Sequence, residues 1–390
     1  MTSPHLNRRL FLGAAGVSLA FAGRASAQSA AGPRNKMVVI IARGAMDGLS
    51  VTVPWGDPNY VPLRGSLAIP APGQPNGALA LSEGFGLHPS LSGLHGLYQA
   101  GQVRFAPAVA IPARIRSHFD AQDVLENGGE GLRQQTDGWL NRALAASGAR
   151  YHGLSIGAQT PLILRGSAPT SSWAPGGKIE GGDRIASLLQ DLYVDDPMLG
   201  TNLARGLETE QMAMVAGDAT VRRNDVAGLG AAVARLMAGD QGADLVALSI
   251  DGWDTHARQL GQLQTRLTGL DQVIGGLHQG LGADWSRTVV VVATEFGRTA
   301  RANGTQGTDH GTGSSLLLAG GALKPGGLIG DWPTLAEAKL FEDRDLTPTL
   351  DVRSVFKGVL RDHMGVDRAA LDTRVFPGNA AEAPAYDGLV

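Results

Sequence analysis

The chain has 390 residues, of which 43% are hydrophobic, 18% charged and 55 glycine, with 33 basic against 36 acidic side chains and a formal charge of −3. This balance excludes a largely disordered chain and a basic nucleic-acid-binding field, while the glycine share, about twice the usual ~7%, calls for many turns and close backbone approaches. With no cysteine there is no disulfide framework, zinc–thiolate site or cysteine nucleophile, so any metal falls to His, Asp, Glu or backbone oxygens.

Residues 1–27 place Arg8-Arg9 before an apolar run over 10–22 and end in Ala25-Ser26-Ala27. That is the pattern of a twin-arginine (Tat) export signal with an A-x-A cleavage site. The run is shorter than the ~20 apolar residues that cross a bilayer, so no stable membrane span is expected. The expected organisation is a Tat signal over 1–27 and a single domain over 28–390. The Tat translocase is the partner during export, and the destination is the periplasm or the exterior.

Residues 37–42 (MVVIIA) form a β-branched apolar run, the mark of a strand covered on both faces, and lead into Arg43-Gly44-Ala45-Met46-Asp47-Gly48. Prolines from Pro54 to Pro75 then argue against regular structure, after which 89–100 reads as a helix and 103–109 as a strand. Residues 117–126 (SHFDAQDVLE) read as a helix opened by a cap-competent Ser117 and closed by Asn127-Gly128-Gly129. The stretch 153–242 carries a short strand pair near Ile156 and 162–164, then helical patterns, and reads as a helical cap or insertion. Residues 245–250 (LVALSI) and 288–293 (TVVVVA) are further buried-strand runs, separated by a long helix, and 315–319 (SLLLA) is one more strand. Strands alternating with helices predict an α/β fold with a mostly parallel sheet and helices on both faces.

Such sheets bind ligands beyond the carboxyl ends of their strands, where this sequence concentrates acids and imidazoles: Asp47; Asp251, Asp254 and His256; Glu295; Asp309 and His310. Together they form a candidate ligand set for a divalent cation, Zn, Mn, Mg or Ca, with histidine favouring the transition metals. Ser117, His118 and Asp120 at a helix start join these loops as residues that can converge on the same edge, and Ser117 is either a metal-activated nucleophile or only an N-cap. Asp254 equally reads as a cap for the helix that follows, and Glu295 as an ion-pair partner of Arg298. Arg116 and Arg298 are the candidates for stabilising charge on a transferring group. The remaining histidines, including His88 and His95, read as surface or structural residues.

Four segments, RGAMDGLSVTVPWGDPNYVPLR, IRSHFDAQDVLENG, SIDGWDTHARQ and ATEFGRTARANGTQGTDHGTGSSLLLAGGALKPGGLIGDW, resemble the Tat-exported bacterial family catalogued as domain of unknown function fifteen-zero-one, which is similar to the alkaline phosphatase and sulfatase superfamily. The resemblance implies a two-metal ester hydrolase fold with a nucleophile at a helix start. Carried over, it assigns Asp251, Asp254, His256 and His310 to one metal, Asp47 and Glu295 to the other, and Ser117 to the nucleophile. Phe296 stands where the superfamily has a metal-binding His and cannot ligate, so one metal site is expected rather than two. The function expected is an exported metal-dependent hydrolase of phosphate or sulfate esters acting on a small ester or glycan-type substrate. The alternative is a catalytically degenerate member of the fold that serves as an exported binding or structural protein.

Overall fold

The apolar runs pair side by side in an eight-stranded sheet. In the computed structural model, which describes residues 33–390 except 149, 177–181, 194–195, 216–224, 241 and 379, the strands are β1 (Lys36–Arg43), β2 (Thr52–Val53), β3 (Leu79–Ala80), β4 (Gly86–Leu87), β5 (Val103–Ala110), β6 (Gly153–Ile156), β7 (Thr170–Trp173), β8 (Leu245–Asp251), β9 (Thr288–Ala293), β10 (Ser314–Ala319) and β11 (Leu350–Asp351). The main sheet has the order β11-β5-β10-β9-β1-β8-β6-β7, and β2, β4 and β3 make a small second sheet. The export signal expected over 1–27 lies outside the described residues.

Period-two alternation divides the runs between two cores. Met37, Val39 and Ile41 face one with Val289, Val291 and Leu316. Val38, Ile40 and Ala42 face the other with Val290, Val292 and Leu317. The helices His118–Asn127, Trp139–Ala146 and Val352–Asp362 supply the first core, and Val226–Met237 and Gln259–Leu281 the second. Burial on both faces is why these strands read as continuous apolar runs.

β1 runs parallel to β8 and β9, in a register that sets Arg43 beside Asp251 and Ile41 beside Ala293. β10 is antiparallel to both neighbours, β9 and β5. The loop leaving β9 therefore enters β10 at the same sheet edge, so residues 294–313 stay at the carboxyl ends of β1, β8 and β9. Glycine lets the loops close on one another there. Gly44 has φ +114°, and a Cβ on it would stand 2.7 Å from the Asp254 nitrogen. A Cβ on Gly307 would stand 2.2 Å from the His256 carbonyl oxygen.

Within 153–242, β6 and β7 extend the main sheet and Val226–Met237 packs into its core. The strand expected at 162–164 is instead a single 3-10 turn, Leu162–Leu164, and the partner of β6 is β7. Three apolar residues after Pro161 carry too short a pattern to separate a strand from a buried turn.

His88 is buried, and its Nδ1 accepts the Ser90 N–H at 3.1 Å. Burial lowers its pKa from 6.5 to about 4, against a weaker attraction from Asp47. The unfolded chain then binds the extra proton between these values, so this contribution to stability is complete above pH 6.5 and is lost as pH falls toward 4. Urea midpoints measured across that window are expected to fall with acidification in the wild type and to fall less steeply in His88→Gln. The buried His363, also lowered by burial, leaves a residual slope of the same sign.

Candidate metal centre

Three loops and one helix start meet at the carboxyl edge of the sheet. The helix His118–Asn127 begins immediately after Ser117, whose extended backbone (φ −101°, ψ 122°) turns the His118 ring toward the loop after β9. There the ring stacks on buried Phe296, centroids 4.9 Å apart and planes at 27°. Asp254 and His256 come from the loop after β8, and His310 from the loop between β9 and β10.

Each imidazole has its Nδ1 directed at an acceptor. His118 Nδ1 lies 2.8 Å from Glu295 Oε1, His310 Nδ1 lies 2.8 Å from the Arg116 carbonyl oxygen, and His256 Nδ1 lies 3.4 Å from Asp309 Oδ1. Carboxylates and carbonyls only accept, so the ring proton resides on Nδ1 and the Nε2 lone pair points the other way. The lone pairs of His118 and His310 converge with Asp254, and His256 joins at the side: His310 Nε2 is 3.1 Å from His118 Nε2, 3.1 Å from Asp254 Oδ1 and 3.0 Å from His256 Nε2. Asp254 Oδ1 is also 2.9 Å from His256 Nε2, and Oδ2 is 3.4 Å from His118 Nε2. Acceptors that face one another at such distances need protons or a cation between them. Ligands ~2.0–2.1 Å from a tetrahedral metal are ~3.3 Å from one another, close to the separations among His118, Asp254 and His310. The donor set therefore fits a cation of the transition-metal type better than Mg or Ca, which take oxygen-rich shells.

The surroundings set the charges. Glu295 is fully buried. Burial pushes its carboxyl upward, but hydrogen bonds from His118, Gln122 and the Gly44 N–H outweigh this and hold it below the usual range. The Glu295 hydrogen bond is in turn the main cause that raises the His118 pKa. Burial likewise opposes ionisation of Asp254, yet hydrogen bonds with Arg298 and His310 bring its pKa down to about 2. Asp254 and His256 remain open to solvent, with side chains 43% and 45% exposed, so a ligand can reach the cluster from that side.

Arg298 is buried and fully engaged: Nη1 donates to Asp254 Oδ1 at 2.6 Å, Nε to Thr308 Oγ1 at 3.1 Å and Nη2 to the Thr308 carbonyl. Below it, Thr308 and Thr255 both donate to Gln259 Oε1, at 2.7 and 3.0 Å, and Gln259 Nε2 donates to Asp47. Asp47 is ion-paired with buried Arg64 and accepts Ser50 Oγ at 2.7 Å.

Of the residues singled out in the sequence, the structure thus brings together Asp254, His256 and His310. It places the others differently. Asp47 belongs to a buried ion pair with Arg64, because its oxygens face the protein interior. Asp251 is exposed at the end of β8, outside the cluster. Glu295 and Asp309 orient His118 and His256 and do not offer oxygen to the cluster. Arg116 pairs with Asp345 at 2.7 Å and Glu342 at 2.6 Å, contributing only its carbonyl to His310. Arg298 is spent on Asp254 and Thr308. Ser117 is exposed and its hydroxyl makes no capping bond. His118, grouped in the sequence with Ser117 and Asp120 at a helix start but given no ligand role there, enters the cluster. Its signal was a helix start facing a post-strand carboxylate, which sequence spacing does not reveal.

The family described as "Protein of unknown function (DUF1501)" matches over residues 97–375. No curated protein matches the chain. Among solved structures, the chain is similar to Ps i-CgsB in complex with k-i-k-neocarrahexaose, at 10% identity and a TM-score of 0.42 over 90% of this chain and 77% of that one. It is similar to the C-terminal periplasmic domain of EcEptC from Escherichia coli in complex with Zn, at 11% identity and a TM-score of 0.39 over 92% of this chain and 90% of that one. It is also similar to alkaline phosphatase from the Antarctic bacterium TAB5, at 11% identity and a TM-score of 0.37 over 76% of this chain and 95% of that one.

The Asp47–Arg64 pair gives a direct test of its placement. Asp47→Asn leaves a buried guanidinium uncompensated and is expected to cost about 3–5 kcal/mol of unfolding free energy. The loss measured by urea denaturation should be the same with and without a chelator, whereas loss of a metal ligand would show only in the metal-loaded protein.

Proposed function

The chain belongs to the family described as protein of unknown function (DUF1501), and from that premise we propose an exported metal-dependent hydrolase of phosphate or sulfate esters, with residues 1–27 as its Tat address. Its centre holds one divalent cation on His118, Asp254 and His310, with His256 packed beside them against Asp254 and His310. The observation that carries this reading is the convergence of two Nε2 lone pairs and a carboxylate, three contacts of 3.1–3.4 Å. A cation bound there supplies Lewis-acid polarisation of the ester's non-bridging oxygens.

The chain's own residues do the rest. Asp254 supplies negative charge to the centre, and Arg298 keeps it ionised and fixes its orientation. Glu295 holds the His118 proton on Nδ1, which keeps Nε2 directed at the centre. Ser117, exposed and not engaged in capping, is the hydroxyl adjacent in sequence to a centre ligand and is assigned as nucleophile. Phe296 fills the space beside His118 and His310 with an apolar ring, which supports a single cation. A second reading, an exported metal-binding or glycan-binding protein without turnover, is favoured by one feature: Arg116 and Arg298 are both consumed in ion pairs and leave no free guanidinium for a transferring group.

Elemental analysis and an ester screen distinguish the two. The wild type is expected to carry about one equivalent of transition metal, and His118→Ala and His310→Ala each to lose it, together with the thermal stabilisation that bound metal gives. His95→Ala should change neither. Ser117→Ala should keep the metal and lower hydrolysis of aryl phosphate or aryl sulfate esters by about 10³-fold or more. A wild type that takes up no metal overturns the centre, and a metal-loaded wild type that turns over no ester leaves the binding protein as the reading.

A further inference from the structure

The helix His118–Asn127 presents more than one residue to the sheet edge. His118, Gln122 and Glu126 recur once per turn and lie in one stripe along it. Arg43, the last residue of β1, is seated against that stripe. Its Nη1 donates to Gln122 Oε1 at 2.7 Å, its Nη2 to Glu126 Oε1 at 2.6 Å and its Nε to Ser249 Oγ at 2.9 Å. Glu126 is buried and takes the Ile163 N–H on its other oxygen at 3.0 Å. With all three nitrogens of Arg43 engaged, the guanidinium is fixed in place.

Donor and acceptor capacity then sets the direction of every bond from Arg43 to the centre. A guanidinium only donates, so the amide oxygen of Gln122 faces Arg43 and its NH2 group faces the other way. There Nε2 donates to Glu295 Oε1 at 3.0 Å, the same oxygen that lies 2.8 Å from His118 Nδ1 and 2.8 Å from the Gly44 nitrogen. An amide turned end for end would set its carbonyl against the Glu295 carboxylate and its NH2 against the guanidinium, two repulsive contacts in place of two attractive ones. An oxygen that meets three donors has no proton of its own to give, so His118 keeps its proton on Nδ1 and its lone pair on Nε2.

We propose that Gln122 is a positioning residue for the centre: its amide, oriented by Arg43, reserves Glu295 Oε1 as an acceptor and so keeps the His118 Nε2 lone pair available to a cation. This role rests on the one-cation reading of the centre and adds to it a side chain one helical turn beyond the ligand. Hydrogen-bonding partners behind a ligating histidine govern metal affinity by about 10–100-fold.

Two measurements on the full chain test this: zinc affinity, by competition with a chromogenic chelator, and the His118 tautomer, by proton–nitrogen NMR of the metal-free protein at a pH that leaves the imidazoles neutral. Gln122→Glu keeps an acceptor for Arg43 and turns the contact with Glu295 from attraction to repulsion. By charge alone an added carboxylate tightens a cation, whereas the positioning role requires the opposite sign, a zinc Kd raised by about 10–100-fold. The wild-type His118 should carry its proton on Nδ1, and the Nε2–H tautomer should appear in Gln122→Glu. Gln122→Met removes the donor without adding charge and should move both readouts in the same direction, which keeps the test in hand if Gln122→Glu does not fold. The tautomer is read in the folded state, where a loss of stability alone does not move it. Zinc affinity unchanged or tightened in both variants, or a wild-type His118 protonated on Nε2, overturns the role of Gln122. A wild type that binds no zinc overturns the cation centre instead, and the metal-free tautomer comparison then decides the role of Gln122 by itself.

Discussion

The hydrogen bond from Arg298 to Asp254 is the contact on which the candidate centre depends. A buried guanidinium is costly to desolvate and is stable only when its N–H groups are met. Here all three nitrogens are engaged, by Asp254 and by the side chain and carbonyl of Thr308. That requirement ties the loop after β8 to the loop between β9 and β10. Through Thr308, Gln259 and Asp47, the same chain of hydrogen bonds reaches the helix Gln259–Leu281 and the loop after β1. The side chain nearest solvent in this chain is Asp254, so the rigidity of the interior is delivered to the residue that faces a ligand.

The sheet decides where this happens. Parallel β1, β8 and β9 bring their carboxyl ends to one edge, and the reversal of β10 returns the following segment to that edge instead of carrying it to the opposite one. Had β10 run parallel, a crossover would have been needed and His310, four residues before Ser314, would have sat at the far end. Glycines 44 and 307 then let the loop backbones touch, which no side chain would permit.

Much of this was legible in the sequence. The β1, β8 and β9 runs are continuous and apolar because both faces are covered, and such runs announce themselves. Asp254, His256 and His310 were legible for the same reason: polar residues that follow such a strand fall at its edge. Strand direction is not written locally, so the antiparallel β10 was not readable from its six residues. Nor was the division of labour among the acids. Glu295, Asp47 and Asp254 all follow strands, and whether a carboxylate meets a cation, an imidazole or an arginine depends on elements distant in the chain. For Asp47 the partner is Arg64, and for Glu295 it is His118 across the sheet edge. His118 was legible as one of the groups at the edge but not as a ligand, because its partners Asp254 and His310 are distant in the chain.

The contrast between Glu295 and Asp254 bears on how many cations the edge accommodates. Glu295 Oε1 accepts from His118, Gln122 and the Gly44 N–H, and Oε2 from Thr294. A carboxylate so occupied, with no exposed surface, is committed to these donors and faces away from a second position. Phe296 beside it presents a ring to His118 and His310 where a further ligand would have to stand. Asp254 is the opposite case: its Oδ2 is 3.4 Å from His118 Nε2, and nearly half of the side chain is open to solvent. The two acids thus divide between fixing a ligand's proton and furnishing charge. With one carboxylate furnishing charge and the imidazoles of His118 and His310 around it, a divalent ion would retain a net positive charge at an open face, the electrostatic condition for drawing in an anionic ester.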